Sequence, residues 1–334
     1  MKATIILSGI LMLAAACSSG KAADKEGDAS RAVATDTLPL PADTSSVSSD
    51  AGFEADSAYA FVDRLMAFGP RVPNTKAHRR SGDWLAGKMR EFGWEVTEQT
   101  TVLKAFDGTA LNVRNIFSQL NPEKGDRLLL LAHWDCRPWA DQDPDPAKRR
   151  LPVPGANDGA SGVGVLLEVA RQLALQNSNA AVDILFVDAE DWGSEGDEDS
   201  WALGTRYFAE NPPVAGYRPR QAILLDMVGS PDARFGVEYF SRESNPALLS
   251  KVWQIAESLG YDGYFHKGFG GAVTDDHVEL IKHGIPAIDI IDYRYTGEYQ
   301  GFDPVWHTTG DDMGNISAYT LGAVGETIMK VIKN

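Results

Sequence analysis

Cysteine is scarce in this chain: 334 residues hold two, Cys17 and Cys136. That excludes a small fold stapled by disulfides, so the mature protein has to be held by its apolar core. Basic charge is short as well, with 31 Lys and Arg against 47 Asp and Glu and a formal net charge of −16. Phosphate backbones and anionic lipid surfaces need a basic face, which rules out nucleic acid as a partner. The apolar run at the N-terminus is too short for a permanent transmembrane anchor. No internal repeat is present. Small molecules, metals and peptides remain as partners, and 43% hydrophobic residues suffice for one large core.

The first seventeen residues, MKATIILSGILMLAAAC, carry one Lys, an apolar run and small residues ending in Cys17, the order of a signal peptide. The LAAAC ending resembles a bacterial lipoprotein cleavage box, which implies export and a lipid on Cys17 as the only membrane contact. An ordinary secreted protein cut nearby is the alternative. Residues 18–51 are Ser, Thr, Ala, Asp and Pro with hardly a large apolar side chain, and read as a flexible tether. Residues 52–334 read as one catalytic domain.

Within that domain, helical and strand patterns alternate. DSAYAFVDRLMAFG and HRRSGDWLAGKMREFG have helical spacing and stop at Gly. After some shorter β-like pieces, RLLLLAHWD, AVDILFVDAED, QAILLDMVG and IPAIDIIDY read as buried strands. Helices between them include NPALLSKVWQIAESLG, with Asn245 as its cap. Buried strands alternating with helices predict an α/β fold, a three-layer α/β/α sandwich around a mostly parallel sheet.

Each of these strands ends in ionisable residues: His133 and Asp135, Glu190 and Asp191, Asp226, and Asp289 with Asp292. Ligands of open α/β sheets bind at the carboxyl ends of the strands, and acids gathered there repel one another without a cation. PGANDGASG adds Asp158 in a glycine-rich loop; a helix cap is the plainer reading for Asn157, Asp158 or Ser161. VWHTTGDD adds His307. Imidazole beside carboxylates suits Zn²⁺, whereas all-oxygen sites suit Mg²⁺ or Ca²⁺.

Taken in order, AHWD, PGANDGASGV, VDAED, LLDM and VWHTTGDD resemble the zinc aminopeptidase superfamily, which also contains the animal-type glutaminyl-peptide cyclotransferases. The resemblance implies a zinc-exopeptidase-like sandwich. It implies Asp158, Asp191 and His307 as ligands of one zinc, and Glu190 as general acid/base. In two-zinc peptidases His133 and Asp226 hold a second metal, with Asp158 bridging. The pair DDH at Asp275–His277 and Trp306 before the metal His look like the cyclases. Asp191 stands where cyclases carry Glu, and Asp289 where they carry His.

The reading that follows is cyclisation of an N-terminal glutamine to pyroglutamate with release of ammonia. Asp275 and Asp226 would assist Glu190, and Trp306 with Trp192 or Trp201 would line the pocket. Asp188 is expected to be structural, orienting a ligand from behind. The alternatives are a two-zinc aminopeptidase and a lipid-anchored binding protein on a decayed enzyme fold.

Overall fold

A computed structural model of the protein describes residues 52–295 and 301–334. The signal peptide with Cys17 and the tether lie outside the described residues. Among the described residues no helix is long and apolar enough to cross a membrane.

The chain enters through helices α1 (Ala55–Met66) and α2 (Lys76–Glu91). Gly69 and Gly93, just beyond these helices, have φ of 87° and 83°, a conformation that glycine adopts without steric cost. Strands β1 (Glu95–Lys104) and β2 (Ala110–Leu120) follow as an antiparallel hairpin in full register from Glu95↔Gln119 to Lys104↔Ala110. This is the stretch read from sequence only as shorter β-like pieces; its first strand is polar and half-exposed along its length, which hides the apolar signal. Then come β3 (Leu128–His133), α3 (Ala160–Leu175), β4 (Val182–Val187), α4 (Leu203–Glu210) and β5 (Gln221–Asp226). A parallel pair, β6 (Phe235–Val237) and β7 (Phe265–Phe269), brackets α5 (Tyr239–Ser244) and α6 (Pro246–Ser258). Helix α7 (Asp276–Lys282), strand β8 (Ala287–Ile291) and helix α8 (Ala318–Lys333) complete the order.

The six-stranded sheet runs β1-β2-β4-β3-β5-β8. Strand β2 meets β4 antiparallel, and β4, β3, β5 and β8 are parallel. Alternation sorts the strand residues between two cores. Leu128, Leu130 and Ala132 pack under α1, α3 and α8, while Leu129 and Leu131 pack with Phe208 of α4 and Leu280 of α7. Burying one such side chain contributes about 1.5–3 kcal/mol. The three-layer α/β/α sandwich is therefore the fold, and a double-faced core explains why these strands read as continuous apolar runs. Asn245 caps α6 as expected, its side chain accepting the N–H of Leu248 at 3.1 Å.

Parallel register brings the carboxyl ends of the strands together. His133 sits opposite Val187, and Asp226 opposite Ile291. One expectation is corrected here: Asp289 does not stand at the end of β8 but in its middle, fully buried. The strand runs on through two further apolar residues, so Asp289 faces sideways toward α7, its Oδ2 3.7 Å from His277 Nδ1.

Candidate active site

Three of the site's residues are delivered by left-handed turns. Ala189, Met227 and His307 have φ of 54°, 47° and 53°, and left-handed backbone outside glycine is uncommon and costs energy. The first turn lets the chain leave β4 and present Glu190 and Asp191. Behind them Asp135, itself fully buried, accepts the N–H of Glu190 at 3.2 Å and of Asp191 at 3.3 Å through its two oxygens.

Asp158 is held by a different buried carboxylate. Asp311 accepts the N–H of Asn157 at 2.7 Å and of Asp158 at 3.0 Å. Burial, then the Asp158 charge, push the Asp311 carboxyl up to about 8. The helix-cap reading of this loop does not hold. Helix α3 starts from Gly159 without a side-chain cap, while Ser161 donates to the Asn157 carbonyl at 2.6 Å and accepts from Val228 N–H at 3.0 Å. Gly155 and Gly159, with φ of 74° and 94°, supply the tight turns that carry Asp158 inward.

The structure brings the expected metal-binding residues into two overlapping groups. His133, Asp158 and Asp226 form one, and Asp158, Asp191 and His307 the other; all are buried, with donor atoms of each group within 4.8 Å of one another. His307 Nε2 lies 3.1 Å from Asp191 Oδ1 and 3.5 Å from Asp158 Oδ2. Edges of roughly 3.3 Å are what tetrahedral bonds of about 2.0–2.1 Å produce. Both Asp191 oxygens are buried without a hydrogen-bond partner. His133 Nε2 lies similarly close to the other two carboxylates, 3.0 Å from Asp158 Oδ1 and 3.2 Å from Asp226 Oδ1. Mixed imidazole and carboxylate donors, with an orphaned buried carboxylate among them, fit a single catalytic zinc.

Asp158, Asp191, Asp226 and His307 floor a cavity of about 330 Å³ that also exposes Glu190 and Asp275. One wall is apolar, where Met227, Val273, Ile291, Tyr293, Phe302 and Trp306 pack as one cluster, and Glu195, Glu198 and Thr274 line the cavity elsewhere. Trp306 stacks on His307 with ring centroids 3.7 Å apart, and Trp201 lies parallel to the same imidazole at 6.0 Å. Burial holds Glu190 well above the usual carboxylate range; the His133 charge opposes this and the Asp191 and Asp275 charges reinforce it. Burial and the Asp226 charge push Asp275 up to about 7.

Of the two tryptophans left open by the sequence, Trp201 lines the cavity and Trp192 does not. Trp192 packs with Leu103 and Leu203 and donates to Asp107 at 3.3 Å. Gly193 packs against the Trp201 ring, where a Cβ would have no room. Asp188 is buried against the His78 Nε2, 2.9 Å from each oxygen, and accepts the Arg114 N–H at 2.7 Å. It ties β4 to α2 and β2. Asp292 accepts the Arg234 N–H at 2.9 Å and sits beside Arg294.

Sequence reasoning missed Arg137. This buried guanidinium donates to the Asp191 and Gly193 carbonyls at 3.2 Å each and forks onto Asp141 at 2.8 and 2.7 Å. Its position two residues after Asp135 was the available signal, since a strand end that carries acids also needs their counter-charge.

Comparison with known proteins agrees with this geometry. Residues 115–332 match the family model described as peptidase family M28. A crystal structure of Porphyromonas gingivalis glutaminyl cyclase is 52% identical, covering 84% of this chain and 98% of that one with a TM-score of 0.82. A leucine aminopeptidase precursor from Bacteroides thetaiotaomicron is 46% identical over 84% of this chain and 97% of that one, with a TM-score of 0.81. The glutaminyl-peptide cyclotransferase of Drosophila melanogaster is 26% identical over 284 residues, 78% of this chain and 75% of its own length. With a sandwich of this topology, a buried zinc-binding group at its strand ends and a family match across most of the described residues, the chain belongs to peptidase family M28.

Proposed function

We propose that this enzyme is a zinc-dependent glutaminyl-peptide cyclotransferase, converting N-terminal glutamine of peptides or proteins to pyroglutamate and ammonia. The carrying observation is the buried group Asp158, Asp191 and His307, whose donor atoms lie within 4.8 Å of one another at the strand ends. His307 Nε2 stands 3.1 Å from Asp191 Oδ1 and 3.5 Å from Asp158 Oδ2, edges that one zinc ion spans. The half-identical cyclase structure supports the same reading.

Zinc bound there supplies Lewis-acid polarisation of a carbonyl. The side chains do the rest. Glu190, buried at the cavity floor with its proton affinity raised by that burial, takes a proton from the substrate α-amine and returns it to the departing nitrogen. A bond forms between the α-nitrogen and Cδ, the bond from Cδ to the amide nitrogen breaks, and ammonia leaves. Asp275 and Asp226 hydrogen-bond the reacting amide. Trp201, Trp306 and Phe302 wall the cavity against water, so ring closure competes with no hydrolysis. Because nucleophile and carbonyl belong to one residue, orientation supplies much of the acceleration.

A two-zinc aminopeptidase is the second reading, favoured by the proximity of His133, Asp158 and Asp226 and by the similar aminopeptidase precursor. Zinc titration into chelated protein tests between them. Full activity at one equivalent supports the cyclase, and activity that needs two contradicts it.

The N-terminal sequence supports export, with lipid on Cys17, a tether at 18–51 and a catalytic domain from 52. Palmitate labelling that is lost in Cys17→Ser tests this; labelling that persists overturns it.

A further inference from the structure

Glu238 lies outside the cavity at the junction of β6 and α5, 1% exposed. Its Oε1 accepts the N–H of Phe240 at 2.9 Å and of Val273 at 3.2 Å. Its Oε2 accepts the Ser241 N–H at 2.7 Å and the Ser241 Oγ–H at 2.8 Å, and meets His277 Nε2 at 3.2 Å. The Ser241 Oγ in turn accepts the Asp289 N–H at 2.9 Å. A single carboxylate thus grips the cavity wall at Val273, the first turn of α7 at His277 and, through Ser241, the centre of β8. Asp275 sits between the first two grips.

Burial raises the Glu238 carboxyl, but the His277 hydrogen bond, the His277 charge and the backbone hydrogen bonds outweigh it and hold it at about 2. An ionised carboxylate only accepts hydrogen bonds, so the facing His277 Nε2 carries a proton, and the other ring nitrogen is Nδ1. That nitrogen is buried without a hydrogen-bond partner, as are Asp275 Oδ2 and both Asp289 oxygens. One Asp275 oxygen, one His277 nitrogen and one Asp289 oxygen lie within 4.8 Å of one another.

We infer that Glu238 is a positioning residue for the reaction: by fixing the His277 ring with its proton on Nε2 and clamping Val273, it holds Asp275 toward the cavity. The inference rests on the reading above in one respect, that Asp275 serves the chemistry. His277 is the intermediary: its Nδ1 faces Asp289 at 3.7 Å, and an Asp275 oxygen lies within 4.8 Å of one of its ring nitrogens.

Glu238→Gln tests it. The amide keeps an acceptor for the Phe240 and Val273 N–H groups but turns an NH₂ toward His277 and Ser241, which takes the proton off His277 Nε2. The expected result is a fall in kcat per folded molecule of about 10–100-fold, the range for partners that orient a reacting group from behind, with KM little changed. The ¹⁵N shift of His277 Nε2 should move from that of a protonated to that of a bare ring nitrogen. His277→Gln, which can still donate to Glu238, should lose kcat to a similar extent without disturbing the clamp on Val273. Unchanged kcat in either variant overturns the inference, as does loss of stability with normal turnover per folded molecule. A wild-type protein that releases no ammonia from glutaminyl peptides sinks the cyclase reading instead, and the His277 Nε2 shift is read independently of activity.

Discussion

Asp311 grips Asp158 by its backbone: the Oδ2 atom of one accepts the N–H of the other at 3.0 Å, 153 residues away in the chain. The Asp158 side chain is thereby directed at the proposed zinc ligands, its oxygens 3.0 Å from His133 Nε2 and 3.5 Å from His307 Nε2. Asp311→Ala should therefore weaken zinc without removing a ligand, by about 10–100-fold in affinity. Competition against a fluorescent chelator reads this directly. An unchanged zinc affinity would show that the loop holds its shape unaided.

Glu190→Gln is expected to keep its zinc and lose turnover by about 10²–10⁴-fold, the contribution of a positioned proton-transfer group. Metal content by mass spectrometry and ammonia release are measured on the same sample. Surviving activity would remove Glu190 from the proton-transfer role. Loss of zinc would make it a ligand.

Acid stability follows from Glu238. Its carboxyl is held at about 2 in the folded state against an ordinary 4.5. A depressed carboxylate stabilises the fold fully above the ordinary value and loses that contribution as pH falls through the folded one. The stability difference between wild type and Glu238→Gln should hold steady down to about pH 5 and shrink toward pH 2. Urea midpoints across that range test it; a difference that grows toward acid pH would contradict the assignment.

Two glycine substitutions should act in opposite directions. A Cβ on Gly204 would run into the Asp188 carbonyl oxygen, with Asn115 Oδ1 2.8 Å away. Gly204→Ala should cost about 1–3 kcal/mol and disturb β4 just before Glu190. Gly87, exposed in α2, has nothing within 4 Å of such a Cβ, so Gly87→Ala should stabilise by about 0.5–1 kcal/mol. Equal effects from the two would mean that packing at Gly204 is not the constraint.

What could be read from the sequence was whatever lies at a strand end. Parallel strands place their last residues side by side, so His133, Glu190, Asp191 and Asp226 converge without any knowledge of contacts. Asp158 and His307 were legible because each sits in an irregular loop rich in polar residues. Asp311, Arg137 and Glu238 were not identified, because they work through backbone N–H and carbonyl groups that any sequence supplies. Asp289 was misplaced along its strand because an aspartate in an apolar run reads as a terminus. Here it is a buried acid in mid-strand, facing His277. The choice between Trp192 and Trp201 depended on tertiary packing, which puts Trp201 on the cavity and Trp192 against Asp107.

The most direct test of the central claim gives the purified catalytic domain, reconstituted with zinc, an N-terminal glutaminyl amide and a leucyl amide side by side. The account predicts ammonia release from the first, with a product lighter by one ammonia and its peptide bond intact, and little cleavage of the second. Leucyl cleavage without cyclisation would contradict it and make the enzyme an aminopeptidase, with His133 and Asp226 then expected to hold a second zinc.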